Sequence, residues 1–195
     1  ERPYRYPTDY GAQKPPTAQW TVTGAGAAVV MPHGEGPCIT SATIGRVVDL
    51  GVQDPLNMGA ARAPAALDTS QAHFRDLRIS PSTYDLILTG DLGRVGHQTA
   101  ADLLAKHDLP LPVDRFLDCG LMIYREDQPV HAGASGCASS ACVTYGHILN
   151  RFRRGELNKV LIVATGALLS PVSYQQKETI PCIAHPVAIE VWGGK

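Results

Sequence analysis

A chain of 195 residues that is 44% hydrophobic is long and apolar enough to bury the core of one domain. Its net charge of −1, with basic residues scattered and not interleaved with aromatics, excludes a nucleic-acid binder of the usual electrostatic kind. The longest apolar run, residues 160–169, is too short to cross a bilayer and is broken by Thr165 and Gly166.

The five cysteines, Cys38, Cys119, Cys137, Cys142 and Cys182, are odd in number and fit no zinc spacing. We expect all five to be reduced core residues, with Cys137, nearest a helix N-terminus, the best candidate for a reactive thiol. No signal peptide is visible, and the first residue, Glu1, is what a processed or truncated piece of a longer protein would show.

In chain order, residues 1–19 are rich in Pro and Tyr and read as an extended segment wrapping a surface. Residues 20–31 form a predicted strand whose central glycines let another backbone approach. After a turn at 32–37, residues 38–51 carry Ile39, Ile44, Val47, Val48 and Leu50 and predict a second strand, paired with the first as a hairpin. A helix is expected over residues 60–77, with Pro64 in its early portion. Residues 84–89 are a buried parallel-type strand that ends in Gly90-Asp91-Leu92-Gly93-Arg94, and a helix follows over 95–107. Residues 113–124 are a short, partly apolar region around Leu117-Asp118-Cys119-Gly120.

The stretch that organises the chain is Val130-His131-Ala132-Gly133-Ala134-Ser135-Gly136, which opens a predicted helix over 137–152. Arg151, Arg153 and Arg154 lie in its last turn and Gly155 just past it, because exposed carbonyls favour cations and glycine accepts positive φ. A histidine thus sits on a Gly/Ser loop entering a helix, where backbone N–H groups attract anions and carbonyl oxygens. The plain alternative is a close-packed loop with His131 as a hydrogen-bonded core residue. Residues 158–165 give a second buried strand, 170–178 a polar turn, and 180–192 a last strand with alternating aliphatics. The order β-β-α-β-α-α-β-β predicts an α/β layered domain with a mixed sheet.

The run His131-Ala132-Gly133-Ala134-Ser135-Gly136 resembles the His-Pro-x-Gly-Ala-Ser-Gly loop of thiolases, whose histidine helps activate the nucleophile and polarise the acyl group. The element order is similar to the C-terminal half of the thiolase fold, an α-β-α layered architecture, which makes residues 20–195 the thiolase-like C-terminal domain. Pro3-Tyr4-Arg5-Tyr6-Pro7-Thr8, residues 13–24, Leu88-Thr89-Gly90-Asp91-Leu92-Gly93 and the His131 loop resemble thiolase-like sporulation proteins of spore-forming bacteria. That resemblance implies an N-terminal half, outside this chain, bearing a cysteine at the thiolase nucleophile position. It implies binding of pyridine-2,6-dicarboxylate (dipicolinate), alone or as its calcium complex, in support of uptake into the developing spore. It further implies a homodimer, partners from the same sporulation operon, and peripheral association with the spore inner membrane through them. No cofactor and no nucleic acid are expected.

Two departures from working thiolases matter. Where condensing enzymes carry a catalytic His, or thiolases an Asn-containing motif, this chain has Gly90-Asp91. Where degradative thiolases carry an acid/base cysteine, it has Ala164-Thr165-Gly166. We therefore expect no catalytic residues and a non-enzymatic binder, with an acyl transferase of altered catalytic residues as the alternative and a purely structural subunit as a third. The expected ligand-binding residues are His131, Ala132, Gly133, Ser135, Gly90, Asp91, Arg94 and Gly166, with no metal site. A flat dicarboxylate would be met by the imidazole, the N–H groups after it and the Arg94 guanidinium. Asp91 has a structural alternative as the cap of the next helix, and Arg94 as a surface cation.

Overall fold

The computed structural model describes residues 15–191. Most of the expected wrapping segment, residues 1–14, and the expected strand end at Trp192 lie outside the described residues.

Five strands form one mixed sheet in the order β2-β7-β6-β3-β4. They are β2 (Pro37–Ala42), β3 (Leu86–Thr89), β4 (Phe116–Asp118), β6 (Lys159–Ala167) and β7 (Cys182–Val191). β3 runs parallel to both β4 and β6, whereas β7 is antiparallel to β6 and β2. Alternate residues feed two cores, as a period of two requires. Ile87, Leu161 and Val163 pack under helices α1 (Met58–Leu77) and α2 (Gly93–Lys106). Leu86, Leu88, Val160 and Ile162 pack on the opposite side against Val143, Ile148 and Phe152. Those last three belong to a continuous helical rod over residues 137–153, made of α4 (Cys137–Ala141), a π-helical stretch (Cys142–Ile148) and α5 (Leu149–Arg153). The sheet is covered on both faces, giving the α-β-α layering expected.

Asn57 starts α1 by accepting a hydrogen bond from the Ala60 N–H, and Arg78 in the left-handed region ends it. The helix begins before Pro64, which sits within it and removes one ladder hydrogen bond. α1 and α2 cross with backbones in contact: a Cβ on Gly96 would lie 2.6 Å from the Gly59 Cα.

Several expectations are corrected. The hairpin does not form. The first strand, β1, is only Trp20–Thr21 and pairs in parallel with β5 (Ala134–Ser135), while β2 pairs with β7. Residues 22–31 are mostly exposed and their glycines serve a helix instead of a strand: a Cβ on Gly24 would lie 2.8 Å from the Cys142 Sγ, and one on Gly26 2.6 Å from the Tyr145 ring. The second strand stops at Ala42, leaving Ile44, Val47 and Leu50 exposed, with one isolated bridge from Val48 to Cys182. Short helices α3 (Cys119–Met122) and α6 (Pro171–Gln175) were not anticipated. The cysteines are also not uniformly core: Cys119 and Cys182 are buried, Cys38 and Cys142 half-buried, and Cys137 exposed.

Candidate functional site

The C-terminal ends of β3 and β6 meet the His131 loop over a buried ion pair. Asp91 follows β3, and its carboxylate takes the Arg62 guanidinium of α1 at 2.5 Å, with both side chains under a tenth exposed. The same carboxylate accepts the Gly136 N–H at 2.7 Å and the Thr165 hydroxyl at 3.3 Å. Gln19 closes the network. Its Oε1 accepts from Arg62 Nη2 at 2.8 Å, and its Nε2 donates to the Asp91 carbonyl at 2.8 Å and the Ala134 carbonyl at 2.6 Å. Arg62 Nε also donates to the Met58 carbonyl. One pair of charges thus fastens α1, the end of β3, the approach to β1, and the loop through β5. Burial of this kind requires that each lone pair and proton be matched, because an uncompensated buried charge is very costly.

A second buried carboxylate lies beside it. Asp118 accepts the Thr89 hydroxyl at 2.6 Å and the N–H groups of Leu92 and Gly93 at 2.8 and 3.0 Å. Asp118, not Asp91, therefore satisfies the N-terminus of α2. Burial pushes the Asp118 carboxyl up, against the pull of these hydrogen bonds, and the Asp91 charge adds to the rise. Burial also pushes the neighbouring Cys119 thiol up, which makes it an inert core group.

The His131 loop turns its backbone inward. The Ala132 N–H donates to the Ala18 carbonyl at 3.1 Å, and the Gly133 N–H to Val130 at 2.9 Å. Carbonyls at Ala132 and Gly133 accept from the N–H groups of Arg94 and Trp20 at 2.7 and 2.9 Å. Gly133 holds a φ of 104°, and a Cβ there would lie 2.9 Å from the Gly120 carbonyl oxygen, so only glycine fits. Ala132 and Gly133 are buried, and with Gly136 they have their N–H groups engaged within the protein. The backbone donors expected to meet a ligand are therefore the frame of the loop.

His131 is different. It is exposed, holds a left-handed φ of 51°, and lies parallel to Trp20, with ring centroids 6.4 Å apart and planes within 8°. Arg94, also exposed, is fastened to the same loop through its own N–H on the Ala132 carbonyl. Of the expected site residues, the structure thus leaves His131 and Arg94 exposed, with the Arg94 backbone bonded to the residue after His131. It places Gly90 and Asp91 in the interior, with Gly90 against Thr165 and Asp91 in its ion pair. Ser135 is half-buried in β5, and Gly166 is half-buried in β6 opposite Ile183.

Sequence reasoning missed Arg62, Gln19, Thr165, Asp118 and Trp20. A signal existed for Arg62, the lone charge in Ala60-Ala61-Arg62-Ala63-Pro64-Ala65-Ala66, since a charge on a small-residue packing face must be paired. A separate cleft of about 240 Å³ beside the π-helical stretch, lined by Met122, Ile123, Cys142, Val143, Gly146 and His147, contains none of the expected residues. Among the described residues, no cluster of three or more His, Cys, Asp or Glu is placed to hold a metal ion, and no helix is long and apolar enough to cross a membrane.

The mixed sheet, covered on both faces and with the His-Ala-Gly-Ala-Ser-Gly loop packed beyond the end of β3, defines a layered α/β domain. Residues 1–190 match the family model described as Stage V sporulation protein AD, and the chain belongs to that family. It is 56% identical over 194 residues to Stage V sporulation protein AD of Bacillus subtilis (strain 168), a match covering 100% of this chain and 57% of that relative. The chain therefore spans little more than half the length of the curated relative. Among solved structures, a 3-oxoacyl-(acyl-carrier-protein) synthase III aligns over 82% of this chain and 51% of its own, with 16% identity and a TM-score of 0.46. The corresponding synthase of Aquifex aeolicus VF5 aligns over 83% and 55%, with 14% identity and a TM-score of 0.40.

Proposed function

We propose that this sporulation-family domain is a non-enzymatic binder of dipicolinate that supports its uptake into the developing spore. One observation carries the reading: the position where a condensing enzyme needs a reactive side chain is closed, while His131 and Arg94, on backbone joined at the Ala132 carbonyl, are exposed. Asp91 has its carboxylate occupied by Arg62, Gly136 and Thr165, and Gly90 offers no side chain. Ala164, at the position of the acid/base cysteine, has no proton to move. Acyl transfer depends on preorganised donors for the oxyanion, worth several powers of ten in rate. By contrast, His131 and Arg94 lie on either side of the Ala132 carbonyl hydrogen bond and are exposed to an incoming dianion.

In this reading the remainder of the protein, as the Bacillus subtilis relative has it, completes the pocket. Assembly as a homodimer, with proteins of the same operon and at the periphery of the spore inner membrane, belongs to the same proposal. Calcium would arrive with the ligand, since Asp91 is already engaged. The test is titration of the full-length protein with dipicolinate, together with assays of acyl-CoA thiolysis and condensation. Saturable binding without turnover is expected. Turnover above background that His131→Ala abolishes would establish the altered acyl transferase instead.

A further inference from the structure

Trp20 stands outside every role assigned so far, yet its ring is parallel to the imidazole of His131. Three features hold it there. Gln19, the preceding residue, is pinned by two hydrogen bonds to the carbonyls of Asp91 and Ala134. The Trp20 backbone N–H donates to the Gly133 carbonyl, and β1 pairs Trp20 with Ala134. On the other side, His131 sits in a left-handed conformation that non-glycine residues seldom adopt and that persists only where the surroundings enforce it. An offset parallel ring beside a strained, exposed histidine sets the plane of the imidazole while the residue stays open to solvent.

We infer that Trp20 is a positioning residue that makes this site selective for planar aromatic dicarboxylates. The inference rests on the proposed binding at His131 and Arg94. Trp20 holds the imidazole plane so that its in-plane N–H takes one carboxylate, the flat ligand ring lies parallel to the indole and stacks on it, and Arg94 takes the other carboxylate. Aromatic rings favour offset parallel stacking, and a contact of that size changes affinity by about three- to tenfold. A saturated ring with the same carboxylate spacing keeps the charge contacts and loses the stack.

The test compares benzene-1,3-dicarboxylate with cis-cyclohexane-1,3-dicarboxylate, and dipicolinate itself, by calorimetry on the full-length protein and on W20F and W20L. The expected result is a three- to tenfold preference of the wild type for the planar compound, retained in W20F and lost in W20L. A protein that only needs Trp20 for folding would lose affinity for both compounds in proportion and keep the preference. Equal wild-type affinities for the two compounds overturn the inference without recourse to any variant, as does an undiminished preference in W20L. If the wild type binds no dipicolinate, the functional proposal itself fails, which is a separate outcome from binding without planar selectivity.

Discussion

Removing Arg62 is the most informative perturbation of the buried network. In Arg62→Met, the Asp91 carboxylate stays in an interior site, under a tenth exposed, with only the Gly136 N–H and the Thr165 hydroxyl as donors. The Gln19 Oε1 and the Met58 carbonyl each lose a donor as well. Breaking a buried pair from one side typically costs about 3–5 kcal/mol, because the remaining charge is uncompensated. At 1.4 kcal/mol per factor of ten, that is roughly two to three and a half powers of ten in the unfolding equilibrium. Replacing both partners with apolar groups removes the stranded charge, so Arg62→Met with Asp91→Leu should cost less than Arg62→Met alone. Urea unfolding of the wild type, both single variants and the double variant measures the cycle directly. A loss below about 1 kcal/mol in Arg62→Met, or a double variant as costly as the two singles added, would refute the view that this pair fastens the loop.

Two further outcomes follow from the packing. Gly96→Ala drives a methyl group to within 2.6 Å of the Gly59 Cα, a backbone contact that cannot yield, and should cost about 1–3 kcal/mol by thermal melting, whereas an unchanged melting point would deny the close crossing of α1 and α2. His73 is fully buried, with Nε2 on the Tyr84 hydroxyl at 2.7 Å and Nδ1 on the Thr43 hydroxyl at 2.9 Å, and burial, aided by the Lys159 charge, holds its pKa below the usual histidine value. The unfolded chain therefore takes up this proton first as pH falls below about 6.5, so stability declines on the acid side, and His73→Gln should flatten that decline in denaturation measured across pH 5–7.

The sheet and its two covering layers were legible because each rests on a strong local pattern. Residues 86–88 and 160–163 are unbroken aliphatic runs, and their burial on both faces is what such runs signify. The rod over 137–153 announced itself by a small-residue start and a basic, glycine-terminated end. What failed was pairing. The expected hairpin assumed that neighbouring strands pair, but β2 finds β7 across the whole domain and β1 finds β5. The glycines at 24 and 26 have the same composition whether they admit a strand or a helix, and only the fold decides. At the site, His131 and Arg94 were visible as residue types, and the structure adds that the Arg94 backbone N–H bonds the carbonyl of Ala132, the residue after His131. The Gly133 N–H closes a local turn on Val130, but the inward use of the Ala132 N–H depends on Ala18, a distant contact that no local motif encodes. The Arg62–Asp91 pair joins residues 29 apart in sequence on different elements, so its charge balance appears only after folding.

The central claim is that dipicolinate is held at His131 with Arg94 beside it, and calorimetric titration of full-length wild type, His131→Ala and Arg94→Ala tests it most directly. A hydrogen bond to a charged group contributes about 1.5–3 kcal/mol net, so His131→Ala should weaken binding roughly ten- to a hundredfold, with a smaller loss in Arg94→Ala at the rim. Unchanged affinity in a folded His131→Ala protein would contradict the account and move the ligand to another part of the molecule.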